Sequence, residues 1–260
     1  MRTGGLRTAY RSQGSGAPMV LVHGVGLRGE VWEPQVTDFA SDHQVIVYDT
    51  LGHGSSDLPP PAASLQDYVA QLEGVLDALD IGAAVVVGHS MGAIIATAFA
   101  IEHPARVKAL AALCPVYNRD AASREAAQAR ARTLAECGPA QSVEPTLRRW
   151  FAEDAAERDE ARTLRGWLTS ADPVGYARAY AVFVVADRAI VGRLGGLRVP
   201  ALFLAASDDP NSTPQMARRM AAEAPRGRAV VLPEARHMVP FLSPARVNAE
   251  IRAFIEEQSP

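Results

Sequence analysis

Residues 83–92 of this 260-residue chain read Ala-Ala-Val-Val-Val-Gly-His-Ser-Met-Gly, and this stretch decides the fold. Its first half is short, apolar and β-branched, which is typical of a strand buried inside a parallel sheet. Residues 93–100, which follow it, are rich in helix-forming side chains, and Pro104 stands where that helix should end. The pattern therefore predicts a strand, a sharp turn with Ser90 at its tip, and a helix.

The Gly-x-Ser-x-Gly pattern at residues 88–92 indicates a nucleophilic serine. Gly88 and Gly92 are needed because the turn is sharp and its neighbours pack too closely for a Cβ atom. This geometry pushes the hydroxyl of Ser90 out of the sheet. It also leaves the backbone N–H of Met91 at a helix N-terminus, where it can bind an anion. We therefore predict that Ser90 is the catalytic nucleophile.

Composition and charge bound the class of protein. Hydrophobic residues make up 48% of the chain and charged residues 21%, enough for one large domain or a core domain with an insertion. The net charge of −3 and the lack of a basic stripe in the sequence argue against nucleic acid as a partner. The arginine-rich residues 124–132 are interleaved with Glu125 and alanines, which favours a solvated helix face.

The cysteines and the N-terminal residues bear on metal binding and on the cellular compartment of the protein. Cys114 and Cys137 do not have the spacing of a disulfide framework or a zinc site, so we expect no metal. Residues 1–30 lack the succession of basic start, apolar run and cleavage site of a signal peptide, and no run of about 18 apolar residues could span a membrane. We therefore expect a cytoplasmic protein without membrane contact. The oligomeric state stays open, and a homodimer is compatible with the sequence.

Strand-like and helix-like segments alternate in the N-terminal half. Short apolar runs that predict buried strands lie at residues 19–22, 45–48, 83–87 and 107–114. Between the second and third of these runs, residues 64–79 carry apolar side chains at helical spacing, with Ser64 as the expected N-cap. This alternation predicts an α/β fold with a mostly parallel sheet and helices on both faces.

The pattern changes between residues 115 and 197, where alanine- and arginine-rich helical stretches replace the apolar runs. Residues 182–186 are the one apolar candidate for a strand in this region, and they stand in a helical context. Strand-like runs resume at 200–205 and 229–232, and a helix predicted at 244–255 closes the pattern.

We therefore predict a core formed by residues 1–114 and 198–260, with residues 115–197 inserted as a helical cap over the carboxyl edge of the sheet. Ordinary crossover helices on the flank of the sheet are the alternative. The length of the insertion favours a cap, because a single crossover needs far fewer residues.

A serine hydroxyl needs a base that takes its proton and a third group that orients the base. For a serine in this kind of turn, the acid follows later in the chain and the histidine comes last. Asp208 and Asp209 come after the strand predicted at 200–205, and catalytic groups gather at the carboxyl ends of parallel strands. We favour Asp209, because Pro210 fixes the turn after it, and keep Asp208 as the alternative.

The base is predicted to be His237, which follows the last predicted strand. It is the only one of six histidines that comes after Ser90 and both aspartates. His23 and His53 stand beside glycines in loops, where a structural role is expected, and His89 is expected to shape the serine turn.

Attack on a carbonyl group builds negative charge on its oxygen, for which hydrogen-bond donors must be placed in advance. The backbone N–H of Met91 is the first predicted donor of this oxyanion hole. Residues 23–26, His-Gly-Val-Gly, form a glycine-rich loop after an early strand. The backbone N–H of Val25 in this loop is the second predicted donor.

Aromatic side chains in the predicted cap are candidates for substrate contact, because they supply a large apolar area at low entropic cost. We expect two or three of them to line the pocket, and favour Trp150 and Tyr180 together with Trp32 of the core. The set from the cap is Tyr117, Trp150, Phe151, Trp167, Tyr176, Tyr180 and Phe183. Arg148 and Arg149 could meet a substrate carboxylate, but solvation at the surface is the favoured interpretation.

These motifs resemble those of the α/β-hydrolase superfamily over nearly the whole chain. The matching pieces are residues 23–26, 49–56, 88–92 and 208–210 together with His237. The resemblance implies an α/β-hydrolase fold with a cap and with catalytic residues Ser90, Asp209 and His237. Within the predicted cap, Arg149-Trp150-Phe151 and residues 172–176 are similar to 3-oxoadipate enol-lactonases and related small esterases.

We therefore expect a cofactor-free serine hydrolase that cleaves a small-molecule carboxylic ester or lactone through an acyl-enzyme on Ser90. Two alternatives remain open. The same residues could hydrolyse a C–C bond in a meta-cleavage product of aromatic degradation, or the protein could be a hydrolase-like receptor for a small molecule. Rapid multiple turnover would argue against a receptor.

Overall fold

The computed structural model describes residues 1–151 and 158–258. Most of its strands are apolar and buried, whereas the first three are short and polar. The strands are β1 (Arg2–Thr3), β2 (Leu6–Arg7), β3 (Tyr10–Gln13), β4 (Ala17–Val22), β5 (His43–Tyr48), β6 (Ala84–His89), β7 (Val107–Leu113), β8 (Ala201–Ala206) and β9 (Gly227–Leu232). The main sheet of the described residues has the order β3-β5-β4-β6-β7-β8-β9, and β3 is its antiparallel member.

The strand order explains why helices cover both faces of the sheet. The described helices are α1 (Glu33–Phe39), α2 (Leu65–Ala78), α3 (Met91–Glu102), α4 (Ala121–Cys137), α5 (Val143–Trp150), α6 (Asp159–Thr169), α7 (Pro173–Ala189), α8 (Pro214–Glu223), α9 (Val239–Leu242) and α10 (Pro244–Glu256). The chain moves from β4 outward to β5 and then back across β4 to β6. Because such crossovers are right-handed, α1 and α2 lie on opposite faces.

The predicted α/β architecture with a mostly parallel sheet and helices on both faces is confirmed. Each predicted strand and helix is present. Ser64 is the N-cap of α2, and its backbone N–H donates to the carboxylate of Asp67 at 2.8 Å. Residues 182–186 lie within α7, as their helical context indicates. The edge strand β3 was not predicted, because its sequence Tyr-Arg-Ser-Gln is polar and every residue is exposed. No helix among the described residues has the length and apolar character needed to cross a bilayer.

The junction of β6 and α3 is packed too closely for side chains at its two glycines. A Cβ atom on Gly88 would lie 2.2 Å from the carbonyl oxygen of Gly92, and one on Gly92 would lie 2.1 Å from the carbonyl oxygen of Val22. Both contacts involve backbone, which cannot move aside as a flexible side chain can. The first turn of α3 therefore rests directly on β4.

Helices α4 to α7 lie between β7 and β8 along the chain. A buried ion pair ties the last of them to the segment after β7: Arg119 Nη1 lies 2.8 Å from Asp187 Oδ1, and the backbone N–H of Arg119 donates to the other carboxylate oxygen at 2.8 Å. The predicted division into a core and a cap at residues 115–197 stays a prediction. Part of that range, residues 152–157, lies outside the described residues.

Gly92→Ala should destabilise the protein, because the new Cβ atom would collide with the backbone of β4. We expect the free energy of unfolding to fall by about 1–3 kcal/mol or more, measured by urea denaturation. Gly166→Ala in α6 is the matched control, because no described atom from elsewhere in the chain lies within 4 Å of the point that its Cβ would occupy. That variant should be neutral or more stable by about 0.5–1 kcal/mol. Equal effects of the two substitutions would contradict the packing argument.

Candidate active site

Ser90 stands at the tip of the turn between β6 and α3, in a strained backbone conformation. Its φ of 55° and ψ of −114° lie in a region that non-glycine residues rarely adopt. Its carbonyl oxygen accepts from the backbone N–H of Ala93 at 3.0 Å and so begins the helix. Met91 is the first residue of α3, and its N–H therefore has no helical carbonyl to pair with.

His237 and Asp209 form a buried pair at the carboxyl ends of two neighbouring strands. Asp209 follows β8 and His237 follows β9, and these strands are parallel. The two side chains are 0% and 3% exposed, respectively, and Nδ1 of His237 lies 2.6 Å from Oδ2 of Asp209. With Nδ1 turned to the carboxylate, the other ring nitrogen lies on the opposite side and can accept a proton.

The two candidate carboxylates have different environments. Asp208 is exposed and accepts a hydrogen bond from the hydroxyl of Ser207, whereas Asp209 is buried. Burial alone would raise the pKa of Asp209. The charge and hydrogen bond of His237, together with the backbone N–H of Asn211 at 2.8 Å, outweigh burial and lower that pKa below its usual value. Asp209 therefore stays ionised beside the imidazole.

Two buried histidines hold the glycine-rich loop that contains Val25. Nδ1 of His23 lies 2.8 Å from the carbonyl oxygen of Gly24, and Nε2 of His53 lies 2.9 Å from the backbone nitrogen of Gly26. The carbonyl of Gly24 belongs to the same peptide as the N–H of Val25, and in a trans peptide these two groups point in opposite directions. The bond from His23 thus fixes the direction of the Val25 N–H.

The partners of these rings define their protonation. A carbonyl can only accept, so His23 donates from Nδ1, and its Nε2 accepts from the backbone N–H of Thr50 at 2.9 Å. His53 accepts at Nε2 and therefore carries its proton on Nδ1. Burial lowers the pKa of His23 to about 4 and that of His53 to about 3. Both rings are neutral at physiological pH. This is required because a protonated ring could not accept the hydrogen bond at Nε2.

His89 joins the serine turn to the segment that carries His237. Its Nε2 donates to the backbone carbonyl of His237 at 2.9 Å, and the ring centroids of the two histidines are 4.9 Å apart. Burial, followed by the charge of His237, lowers the pKa of His89 to about 3. A neutral His89 therefore connects the loop of His237 to the turn of Ser90 by a hydrogen bond.

A cavity of about 140 Å³ brings the predicted residues together. Ser90, His237 and Val25 line it, together with side chains from α4, α5 and α7. Four aromatic residues belong to its wall, rather than the two or three expected: Trp150, Tyr176, Tyr180 and Phe183. The ring of Trp150 stacks on that of His237, with centroids 6.1 Å apart.

Trp32 lies away from this wall. It is fully buried in the core, and its ring packs edge-on against His89 with centroids 6.4 Å apart. It is not among the described residues that line the cavity. Trp32 therefore packs behind the serine turn and does not border the space beside Ser90.

Three arginines line the cavity, and the sequence did not indicate two of them as part of a site. Arg119 was not singled out, and Arg130 was assigned to a solvated helix face. Arg149 was considered for a substrate carboxylate but expected at the surface. Arg130 and Arg149 are in fact half-buried and line the cavity. Arg148 is exposed, as expected. Ser123, Ala126 and Arg130 all line the cavity at spacings of three and four residues, a signal of one shared helix face.

His89, Cys114 and His237 bring potential metal-ligating atoms within 4.8 Å of one another. Burial raises the pKa of the Cys114 thiol well above its usual value, so the thiol keeps its proton and is a poor ligand. Nδ1 of His237 is bonded to Asp209, and Nε2 of His89 is bonded to a carbonyl. We therefore assign no metal to these three groups.

The sequence matches known proteins over nearly its whole length. Residues 19–250 match the model of the alpha/beta hydrolase family. The chain is 38% identical over 251 residues to (E)-2-((N-methylformamido)methylene)succinate hydrolase of Acinetobacter baylyi, with 96% of this chain and 95% of the relative covered. Each chain therefore aligns with the other almost from end to end.

Two solved structures are also similar over almost all of both chains. The enol-lactonase from Burkholderia xenovorans LB400 has a TM-score of 0.91 and 26% identity, covering 98% of this chain and 98% of its own. A thermophilic esterase from Thermogutta terrifontis has a TM-score of 0.90 and 28% identity, covering 100% of this chain and 97% of its own. The described fold is thus shared with hydrolases of different named substrates.

The neutral histidines should make the fold sensitive to acid. In the unfolded chain these histidines bind a proton below about pH 6.5, whereas in the folded protein His23, His53 and His89 stay neutral down to about pH 3–4. Their contribution to the free energy of unfolding is therefore fully present above pH 6.5 and is lost as the pH falls towards 4. We expect the free energy of unfolding in urea to drop between pH 7.5 and pH 5 by on the order of 2 kcal/mol per histidine. A free energy that stays constant over this range would contradict the neutral network.

Proposed function

Because this chain belongs to the alpha/beta hydrolase family, we propose that it is a cofactor-free serine hydrolase of small carboxylic esters or lactones. Ser90 is the nucleophile, His237 the base and Asp209 the group that orients the base. The observation that carries this proposal is the buried pair of His237 and Asp209, 2.6 Å apart, beside the same cavity that Ser90 lines.

The first half of the reaction forms an acyl-enzyme. Nε2 of His237 takes the proton of the Ser90 hydroxyl as its oxygen attacks the carbonyl carbon of the substrate. Asp209 stays ionised and stabilises the imidazolium that results. As the C–O bond to the alcohol breaks, His237 returns the proton to the leaving oxygen, and the acyl group remains on Ser90.

The backbone N–H groups of Val25 and Met91 are the proposed oxyanion hole. Both are backbone donors whose directions are set before substrate arrives, one by the peptide that His23 fixes and the other by the start of α3. Such preorganised donors act where negative charge develops in the transition state, and removal of one typically costs about 10²- to 10³-fold in turnover.

Water completes the cycle. His237 takes a proton from a water molecule that attacks the acyl carbon, and the carboxylic acid leaves Ser90 with its hydroxyl restored. Helices α4, α5 and α7 are proposed to act as a cap that limits the size of the substrate. The cavity of about 140 Å³ is smaller than the roughly 300–1,000 Å³ of pockets for drug-sized ligands. Trp150 and Tyr180 are the proposed apolar and polar contacts with the acyl group.

Hydrolysis of an amide is a second candidate, favoured by one specific similarity. The relative with 38% identity is named for a succinate that carries an N-methylformamido group, which is an amide, whereas an enol-lactonase is among the structural neighbours. The solved esterase contains malate, and malate and succinate are both dicarboxylates. Ester, lactone and amide substrates therefore belong in one panel, because the same acyl-enzyme chemistry serves all three bonds.

Ser90→Ala should abolish turnover without unfolding the protein, because it removes the attacking oxygen and leaves the turn intact. We expect two rates to fall by several orders of magnitude: acid release in a pH-stat on short-chain esters, enol-lactones and γ-lactones, and formate release, measured by chromatography, from N-vinyl formamides. Circular dichroism and the urea midpoint should match those of the wild type. An unchanged rate in this variant would rule out Ser90 as the nucleophile.

The two adjacent aspartates provide a matched test of the orienting group. Asp209→Asn should lower kcat by about 10³- to 10⁴-fold, because the amide no longer stabilises the imidazolium or the required tautomer. Asp208→Asn should stay within about twofold of the wild type, since its side chain is exposed and bonds only to Ser207 among the described residues. Similar losses in both variants, or a larger loss in Asp208→Asn, would overturn the assignment of Asp209.

A further inference from the structure

Arg130 and Arg149 reach the cavity of Ser90 from two different helices. Arg130 belongs to α4 and Arg149 to α5, and both side chains line the same cavity as Ser90 and His237. They also line a neighbouring cavity of about 150 Å³. Both arginine side chains are half-buried and border these two cavities.

Neutral acceptors hold both side chains in place. Nε of Arg130 donates to the hydroxyl of Tyr180 at 3.0 Å. In Arg149, Nη2 donates to the hydroxyl of Thr146 at 2.9 Å, and Nη1 donates to the carbonyl oxygen of Pro145 at 2.7 Å. These bonds use three of the ten N–H donors of the two groups. The guanidinium groups are oriented, but none of these bonds neutralises their charge.

The positive charge of the cavity has no counterpart in its wall. No Asp or Glu side chain is among the residues of the described chain that line it, and neither arginine has a carboxylate within ion-pair distance among the described residues. Arg119 is the contrast, because Asp187 pairs with it at 2.8 Å. Burial, followed by the positive charge of Arg130, lowers the pKa of Arg149.

A further unpaired donor lies at the same cavity. Asn211 belongs to its wall, and the side-chain nitrogen Nδ2 is buried without a hydrogen-bond partner among the described residues. A buried donor without a partner costs about 1–3 kcal/mol unless a ligand or water satisfies it. The described wall of the cavity therefore offers cationic and neutral donors and no carboxylate.

We propose that Arg130 and Arg149 form a subsite for a carboxylate group of the substrate, separate from the carbonyl that Ser90 attacks. This inference rests on the proposed hydrolase function and names its substrate class: short acyl compounds that carry a free carboxylate. The planar fork of an arginine matches the two oxygens of a carboxylate, and a cavity of this size admits few atoms beyond the two functional groups.

Binding of succinate tests the subsite independently of turnover. Titration calorimetry at low salt should show succinate binding to the wild type, with affinity reduced about 10- to 100-fold in Arg149→Gln and in Arg130→Gln. Arg149→Lys, which keeps the charge but not the fork, should bind with intermediate affinity and covers the case that the glutamine variant does not fold. Arg148→Gln is the matched control, because this neighbour is exposed, and it should bind like the wild type.

A pair of esters of nearly equal size tests the same subsite during turnover. Monomethyl succinate carries a free carboxylate where methyl levulinate has a neutral acetyl group. We expect the wild type to prefer monomethyl succinate by about 10- to 100-fold in kcat/KM, mainly through KM. Arg149→Gln should bring the ratio of the two kcat/KM values close to one, because the charged ester loses its partner.

The two experiments separate the subsite from the chemistry. Hydrolysis that depends on Ser90 but shows no charge preference, together with no succinate binding, overturns the subsite and leaves the hydrolase proposal intact. Succinate binding that depends on Arg149, without hydrolysis of any ester, supports the subsite and contradicts the proposed reaction. Equal losses of affinity in Arg148→Gln and Arg149→Gln would show general electrostatic attraction and overturn the subsite.

Discussion

The direct contact between the first turn of α3 and the backbone of β4 sets the geometry of the whole site. Because Gly92 has no Cβ, the helix rests within a short distance of the carbonyl of Val22, and the chain before it must turn sharply. Ser90 makes this turn by adopting a positive φ, which directs its side chain away from the sheet. The same contact places the glycine-rich loop after β4 beside the serine. The position of the proposed nucleophile and that of the proposed oxyanion donors are thus consequences of one packing constraint.

Neutral histidines complete this frame. His23 and His53 hold both sides of Val25 through backbone groups, and His89 holds the carbonyl of His237. A histidine can donate at one ring nitrogen and accept at the other only while it is neutral, and burial keeps these three neutral. His237 differs because its Nδ1 lies 2.6 Å from a buried carboxylate, that of Asp209. The same side chain therefore serves as a fixed hydrogen-bonding group at three positions and as the proposed proton acceptor at a fourth.

The helices between β7 and β8 form a large part of the cavity wall. They contribute aromatic rings and two arginines whose charge no described carboxylate balances. Arg119 differs from these two arginines, because it is buried and forms an ion pair with Asp187. A half-buried cation without a described carboxylate partner favours an anionic ligand, because burial removes part of the water that would otherwise stabilise its charge. Selectivity for substrate would then arise from α4 and α5 and reactivity from the ends of the strands.

The sequence by itself determined the sheet, the serine turn and the order of the proposed catalytic residues. These features depend on local pattern: apolar runs, glycines around Ser90, and acid and histidine placed after successive strands. Only the tertiary structure decided that Asp209, and not Asp208, contacts His237, since that depends on which side chain the turn directs inward. It also removed Trp32 from the cavity wall and brought Arg130 and Arg149 into it. Such contacts join residues far apart in the chain. An arginine on the polar face of a helix has the same neighbours in sequence whether that face borders water or a cavity, so the sequence does not distinguish the two cases.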